Sequence, residues 1–443
     1  MSKMVHYLIV GNSAAGVAAA EEIRKRDKKG SIMLISEEDH LSYSRPLLAR
    51  YLFGEFSLEK LSFRRKDFFQ RLEISIRLKT RVTQLIPEKK MVLAVERDGL
   101  LLQKEKEFSY DNLLLSTGSV PLKPRILGCG LEGVFTFLSL SEVERIKDYL
   151  ARNSVKEVLI LGGGLIGLES AEAFHRLGFQ VRIVELAPYL LSTTFDRYAS
   201  EIVAVHLSRN GLIVHTQDTV ESFGGSRGRI CRATLKKGGE VKVDLAVIAV
   251  GVRPRVELAE EAGLQVGKGI VIDREMRTSA TNIYAAGDCV QVENLLSGVK
   301  GPLPLWPEAV RQGKAAGMAM ASTDSLNKRD LGSGYKGGIV MNALEILGLP
   351  TVSVGITDDP GAEVFSEYLP EKGFYRKILV RQNRVIGYIF IGSIERSGIY
   401  TGLIKEKVDV TAFKDKLLEE DFGLVYLPSD YQKHLVSGEG VEV

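Results

Sequence analysis

The chain has 443 residues, 45% of them hydrophobic and 26% charged, with a net charge of +3. That length builds two or three domains, each with its own core, and the near-balanced charge, with no long basic run, excludes nucleic acid and anionic membranes as expected partners. No apolar run is long enough to span a bilayer, and an apolar strand begins within a few residues of Met1, leaving no room for a signal peptide, so a cytoplasmic location is expected.

In chain order, a short apolar strand, Tyr7 to Val10, runs into the glycine-rich turn GNSAAG, Gly11 to Gly16, which opens an alanine-rich helix. In such a turn the first glycine allows the bend, the middle small residue lets the backbone approach a pyrophosphate, and the last glycine lets helix and strand pack closely. Gly11, Ser13 and Gly16 hold these three positions, with Ala14 and Ala15 opening the helix whose positive end receives the phosphates. A second strand, Ile32 to Ile35, leads to Glu37, a carboxylate placed to accept ribose hydroxyls.

A polar stretch, Glu38 to Arg65, precedes strand-like segments at Ile74 to Leu78 and Met91 to Val95 and a buried strand within NLLLSTG, Asn112 to Gly118. Val120 to Gly130, marked by Pro121 and Pro124, reads as a linker. The same strand, turn and helix pattern then returns: Val158 to Leu161, the turn GGGLIG with Gly162, Gly164, Leu165, Ile166 and Gly167, and a strand Val181 to Val184 ending in Glu185. Two such turns, each followed by a strand ending in an acid, predict two bound dinucleotides. Glu185 would repel a 2′-phosphate, which predicts NADH over NADPH, with Arg182 as a softening influence.

A further buried strand, Leu245 to Val250, ends at Gly251, and TSATNIYAAGD, Thr278 to Asp288, places Gly287 and Asp288 at a strand end where the carboxylate reaches a ribityl or ribose hydroxyl. Trp306 starts a helix running to about Ala321, with Pro307 in its first turn. From Gly334 the pattern changes to alternating strands, Val352 to Ile356, Tyr375 to Val380 and Val385 to Ile391, followed by a helical tail; the mixed charges of Lys405 to Lys416 read as a solvated helix face. Cys129, Cys231 and Cys289 form no CxxC pair, which excludes a cysteine-ligated iron–sulfur cluster or local redox disulfide in this chain. His6, His40, His175, His206, His215 and His434 show no metal-ligand spacing, and no metal site is expected.

Taken in order, GNSAAG with Glu37, LLLSTG, GGGLIGLE with Glu185, VIAVGVRP and NIYAAGDC resemble the FAD-dependent pyridine nucleotide-disulfide oxidoreductase superfamily over nearly the whole chain. The segment Tyr43-Ser44-Arg45-Pro46-Leu47-Leu48 lacks the reactive cysteine of the disulfide and peroxide reducers. It is similar instead to the rubredoxin and ferredoxin reductase branches and to the flavin portion of NADH-dependent nitrite reductases. The text from VMNALEILGLP to YTGLIKEKVDV resembles flavoproteins that pass electrons between NAD and iron–sulfur partners, such as those accompanying carbon monoxide dehydrogenase or 2-oxoacid oxidoreductases.

The resemblance implies an α/β fold with two Rossmann-like dinucleotide-binding domains, one for FAD and one for NAD, and a C-terminal α+β interface domain. The expected boundaries are 1–120 with 252–332 for FAD, 121–251 for NAD and 333–443 for the interface domain. FAD is expected on the first turn with Glu37, Arg45, Pro46, Thr117, Gly118, Gly287 and Asp288, and NAD(H) on the second turn with Glu185 and Gly251. Trp306 and Ala309 would bring the positive end of their helix to the flavin pyrimidine. Arg50 takes the place of a basic residue, lysine in most relatives, that pairs with the glutamate of GLE, Glu169, beside the flavin. The implied activity is FAD-dependent NADH:acceptor oxidoreduction serving a small iron–sulfur or rubredoxin-like protein, within a larger metalloenzyme complex or as a homodimer. The alternatives are an NADH oxidase and an NADH-binding flavoprotein with a signalling or scaffold role.

Overall fold

The computed structural model describes residues 3–98, 102–322 and 334–428; His434 lies outside them. The chain divides into two compact units, 1–125 with 135–154 and 248–338, and 126–134 with 155–247 and 339–443.

The first unit is built on a seven-stranded sheet. Lys3–Val10 lies at its centre, parallel to Ile32–Ile35 on one side and to Leu102–Leu115 on the other, with Leu8 opposite both Met33 and Leu113. Where these strands lie side by side near their C-terminal ends they are apolar, and Leu8, Leu34, Leu113 and Leu114 are wholly buried. Leu102–Leu115 is much longer than its apolar end suggests. Its far edge is shared, antiparallel Met91–Asp98 along Leu102 to Ser109 and parallel Ile283–Ala285 along Leu113 to Leu115. The distant segment Ile283–Ala285 thereby completes the sheet beside the first glycine turn.

Helix Ala14–Arg26 buries every residue from Ala14 to Ala20, on two faces rather than one. One face meets the sheet and the other meets helix Trp306–Ala321, where a Cβ on Gly313 or Gly317 would collide with the carbonyl oxygens of Ala15 and Ala19. Small residues on both helices let their backbones touch, which Leu or Val would prevent. Asp27 ends the first helix: its Oδ1 accepts from the amides of Lys29 and Gly30 at 2.9 and 2.8 Å, and its Oδ2 accepts from the Tyr7 hydroxyl at 2.9 Å. The amides of Gly30 and Lys29 hold its carboxyl below the usual range.

The polar stretch after Glu38 carries the short helices Leu48–Leu52 and Leu58–Leu61. One reading from sequence needs correction here. The proline-marked linker begins as a strand, Ser119–Pro121, paired antiparallel with Val252–Pro254. Proline fits there because a two-stranded ribbon leaves one edge of each strand without ladder bonds.

The second unit holds a sheet in which Glu157–Leu161 and Ile213–His215 flank Gln180–Val184, all parallel, with helices Leu165–Arg176 and Arg197–Arg209. It also contains a five-stranded antiparallel sheet in the order Met341–Ile346, Leu349–Gly355, Arg384–Ile391, Phe374–Arg381, Glu363–Leu369. Asp196 joins the two parts. It caps helix Arg197–Arg209 through the Ala199 amide at 3.0 Å, and its other oxygen takes Lys377 Nζ at 2.8 Å and the Tyr375 hydroxyl at 2.7 Å. Tyr388, Phe390, Tyr400 and Phe422 form an aromatic cluster under helix Ser397–Glu406. That helix stops at Lys407 in a left-handed conformation, so Lys405 to Lys416 is not a helix face: Val410, Phe413 and Leu417 turn inward and bury.

Candidate functional site

The first turn is fixed from behind by the end of the neighbouring strand. Gly11 N–H donates to the Ile35 carbonyl at 2.9 Å, and a Cβ on Gly11, whose φ is +121°, would strike the Ser116 carbonyl oxygen. Gly16 backs onto the Gly11 carbonyl in the same way. Ser13 is the N-cap of the helix in extended conformation and makes no side-chain cap bond, so its hydroxyl does not compete for the first-turn amides that an anion would use. A Cβ on Gly287 would touch Cβ of Ala15 and of Ala309, so the start of helix Ala14–Arg26, the Gly287-Asp288 turn and the start of helix Trp306–Ala321 meet at one place. Of the residues expected to bind the first dinucleotide, the structure therefore gathers Gly11, Ser13, Ala14, Ala15, Gly16, Gly287, Asp288 and Ala309.

Around this junction are polar contacts that the sequence did not announce. Asn12 accepts from the Ser42 hydroxyl at 2.6 Å and donates to the His40 carbonyl at 3.3 Å, drawing the 40–42 loop against the turn. Arg45 donates to Glu38 at 2.6 Å and to the Leu138 carbonyl at 2.8 Å, while the Tyr43 hydroxyl donates to Glu38 at 2.6 Å and accepts from the Leu140 amide at 3.0 Å. Burial opposes the charge of Arg45, but Tyr43, Glu38 and Asp288 hold its pKa above the ordinary value. Asp288 accepts from Ser119 Oγ at 3.0 Å. Burial pushes its carboxyl above the usual carboxylate range, and the Ser119 bond and the Arg45 charge only partly offset this. Pro46, beside Arg45, is exposed.

Thr117 Oγ1 donates to the Arg255 carbonyl at 2.7 Å, and Gly118 accepts from the Arg255 amide at 2.9 Å. Glu37 is ion-paired with Arg255 and faces Arg81 at 4.0 Å. Trp306 packs edge-on against Phe63, ring centroids 5.0 Å apart. Arg50 is exposed and bonds Glu55 at 3.2 Å. Gly251 lies exposed, its carbonyl accepting from the Leu122 amide at 2.9 Å.

In the second unit, a Cβ on Gly167 would collide with the Gly162 carbonyl oxygen, whereas one on Gly164, the N-cap of helix Leu165–Arg176, would meet nothing within 4 Å. Gly164 thus faces open space just where a phosphate would approach the helix end. Leu165, Ile166 and Glu169 are half-buried. Glu185 folds back onto the turn: one carboxylate oxygen accepts from the Gly163 amide at 2.5 Å and the other from the Ala187 amide at 2.6 Å. On the adjacent strand, His215 meets Arg182 at 2.6 Å; burial and the guanidinium lower its pKa below the ordinary histidine value.

Both turns therefore fit a dinucleotide: each has a cradle that a side chain would fill, a helix N-terminus without a side-chain cap, and an acid just past the following strand. Among the described residues, no helix is long and apolar enough to cross a membrane.

The pyridine nucleotide-disulphide oxidoreductase pattern matches residues 5–313, and the rubredoxin NAD+ reductase C-terminal domain pattern matches residues 341–408. An NADH oxidase of Methanocaldococcus jannaschii is 34% identical over 72% of this chain and 70% of its own. A rubredoxin-NAD(+) reductase of Pseudomonas putida is 32% identical over 72% of this chain and 80% of its own. The solved structure of an NAD-dependent persulfide reductase from A. fulgidus superposes with a TM-score of 0.82 at 28% identity, over 94% of this chain and 79% of that one. The chain spans about half the length of the curated nitrite reductases that it matches, 48% and 47% for two of them.

Proposed function

Because the chain belongs to the pyridine nucleotide-disulphide oxidoreductase family, we propose that it is an FAD-dependent NADH:acceptor oxidoreductase that moves electrons between NAD(H) and a small iron–sulfur or rubredoxin-like protein. The observation that carries this reading is the duplicated glycine turn, one copy in each compact unit, each with its own acid. The C-terminal match to rubredoxin reductases supports the acceptor class.

In this reading the first turn holds the FAD pyrophosphate on the Ala14–Arg26 helix end, while Glu37 and Asp288 take hydroxyls of the ribose and ribityl chains. Thr117 and Gly118 line the same strand end. Arg45 and the Trp306–Ala321 helix end supply positive potential. When bound, the flavin ring supplies a two-electron acceptor that can return electrons singly. The second turn, with Gly164 open to the phosphates, Leu165 and Ile166 at the helix start and Gly251 at a strand end, holds NADH by its pyrophosphate, and Glu185 takes the ribose. The chain's part in the redox step is to hold the two cofactors and exclude water, so no acid or base is required. Arg50 and Glu169 are proposed to flank the flavin ring. The three-domain division, residues 1–120 with 252–332, 121–251 and 333–443, a cytoplasmic location, assembly with a larger metalloenzyme and homodimerisation through the C-terminal domain are parts of the same proposal.

The test is to reduce the purified protein with NADH without oxygen, then mix it with air-saturated buffer and follow flavin absorbance. Slow reoxidation, over many seconds, supports a protein acceptor. Reoxidation within a second favours the NADH oxidase reading, which the M. jannaschii relative keeps open. No reduction by NADH overturns the enzyme assignment and favours the signalling or scaffold role.

A further inference from the structure

Beneath the Gly287-Asp288 turn lies a chain of buried polar side chains, Gln312, Tyr335 and Glu308, none of them among the expected binding residues. Gly287 N–H donates to Gln312 Oε1 at 2.7 Å; Gln312 Nε2 donates to the Tyr335 hydroxyl oxygen at 3.3 Å; the Tyr335 O–H donates to Glu308 Oε2 at 2.7 Å. Glu308 and Gln312 are each 1% exposed and Tyr335 is 9% exposed. Glu308 also takes the Arg311 guanidinium.

The chain has one direction. Glu308 takes the Arg311 guanidinium and accepts the Tyr335 hydroxyl on Oε2, so the single tyrosine proton points at Glu308. The tyrosine oxygen is then left to accept, which obliges Gln312 to present its NH2 to Tyr335 and its carbonyl oxygen to Gly287. A glutamine amide would otherwise be free to turn over and set a donor against the Gly287 donor. Gly287 is also the residue whose missing Cβ lets Ala15 and Ala309 come together, at a φ of +88°. The orientation of one buried amide thus fixes the turn that carries Asp288.

We propose that Gln312 is a positioning residue for the flavin, held in its working orientation by Tyr335 and Glu308, and that it acts by clamping the Gly287 amide so that Asp288 and the two helix starts face the dinucleotide together. This rests on the reading that the first unit holds FAD. Gln312 and Tyr335 come from separate segments, so the clamp also ties the return segment at Tyr335 to the cofactor site.

The test measures the FAD dissociation constant of the full chain after flavin removal, by fluorescence titration, with circular dichroism confirming the fold. Gln312→Leu, which leaves the Gly287 amide without its acceptor, is expected to weaken FAD binding roughly 10- to 100-fold, and Tyr335→Phe, which frees the amide to turn over, about 3- to 10-fold. Gln312→Glu keeps an acceptor for Gly287 but no donor for Tyr335, and is expected to recover part of the logarithmic loss. NADH affinity, which belongs to the other unit, should stay within about twofold of the parent. If Gln312→Leu does not fold, Tyr335→Phe alone decides. Unchanged FAD affinity in the folded variants overturns the clamp while leaving the FAD reading intact, whereas a parent protein that binds no FAD overturns the FAD reading itself.

Discussion

The two glycine turns have the same local chemistry and different surroundings. At the first, Ala14 and Ala15 are buried beneath helix Trp306–Ala321, whose Gly313 lies against the Ala15 carbonyl. At the second, the equivalent Leu165 and Ile166 are only half-buried and Gly164 faces open space. Their acids differ too. Glu37 is balanced by the cations Arg255 and Arg81, Glu185 by the backbone amides of its own turn and strand end. A covered turn suits a cofactor that stays and an open one suits a nucleotide that exchanges, which supports the proposed assignment of FAD to the first turn and NADH to the second.

The sharpest break of this comparison is Gly16→Val against Gly167→Val. Each side chain would run into the carbonyl at the start of its own turn, and overpacking of this kind costs about 1–3 kcal/mol. Gly16→Val is expected to purify without flavin. Gly167→Val is expected to keep its flavin but to need roughly 10- to 100-fold more NADH for half-maximal reduction. Absorbance spectra and an NADH titration read both, and loss of the same cofactor in both variants would sink the division of roles.

A smaller effect is expected at the second acid. Glu185→Gln should raise the KM for NADH about tenfold, one lost charge-assisted bond, and should narrow the preference over NADPH. Equal efficiency of the two nucleotides in the parent protein would show that Glu185 selects nothing.

Asp288 sharpens the contrast through pH. Its carboxyl is raised above the ordinary range, chiefly by burial, so the folded protein holds that proton more tightly than the unfolded chain does. The group therefore costs stability as pH rises from the unfolded value, about 4, through the raised folded one, and the full cost is present above both. Asp288→Asn keeps an oxygen for Ser119 and removes the charge. Flavin-free Asp288→Asn should melt higher than the parent at neutral pH, with the gap closing by about pH 3; a constant gap would refute the assignment.

The smallest effects belong to exposed ion pairs. Arg255→Ala releases Glu37, and Arg50→Ala releases Glu55, each from a partly exposed pair. Each should cost no more than about 1 kcal/mol in chemical denaturation, less at high salt. The Arg50 side chain is 46% exposed, so water screens its pair with Glu55. A loss of flavin in Arg50→Ala without a loss of stability would place it in the cofactor site.

Sequence by itself determined what a few consecutive residues encode. Both turns, the strand Ile32–Ile35 and the far end of helix Trp306–Ala321 stand where glycine spacing and apolar periodicity put them, because bend, cap and burial pattern are all written within one or two turns of chain. The acids Glu37 and Glu185 were legible for the same reason, each one strand beyond its helix. Only the tertiary structure decided the rest. The length of Leu102–Leu115 beyond its apolar end is set by its partner Met91–Asp98. The strand at Pro121 exists because Val252–Pro254 arrives to pair with it. Nothing in the local sequence singles out Gln312 or Tyr335, and their hydrogen bonds to Gly287 and Glu308 exist only in the folded chain. Hydrogen-bond partners distant in sequence leave no local signature; burial alone makes them obligatory, since a polar group removed from water must find its partner wherever the fold supplies one.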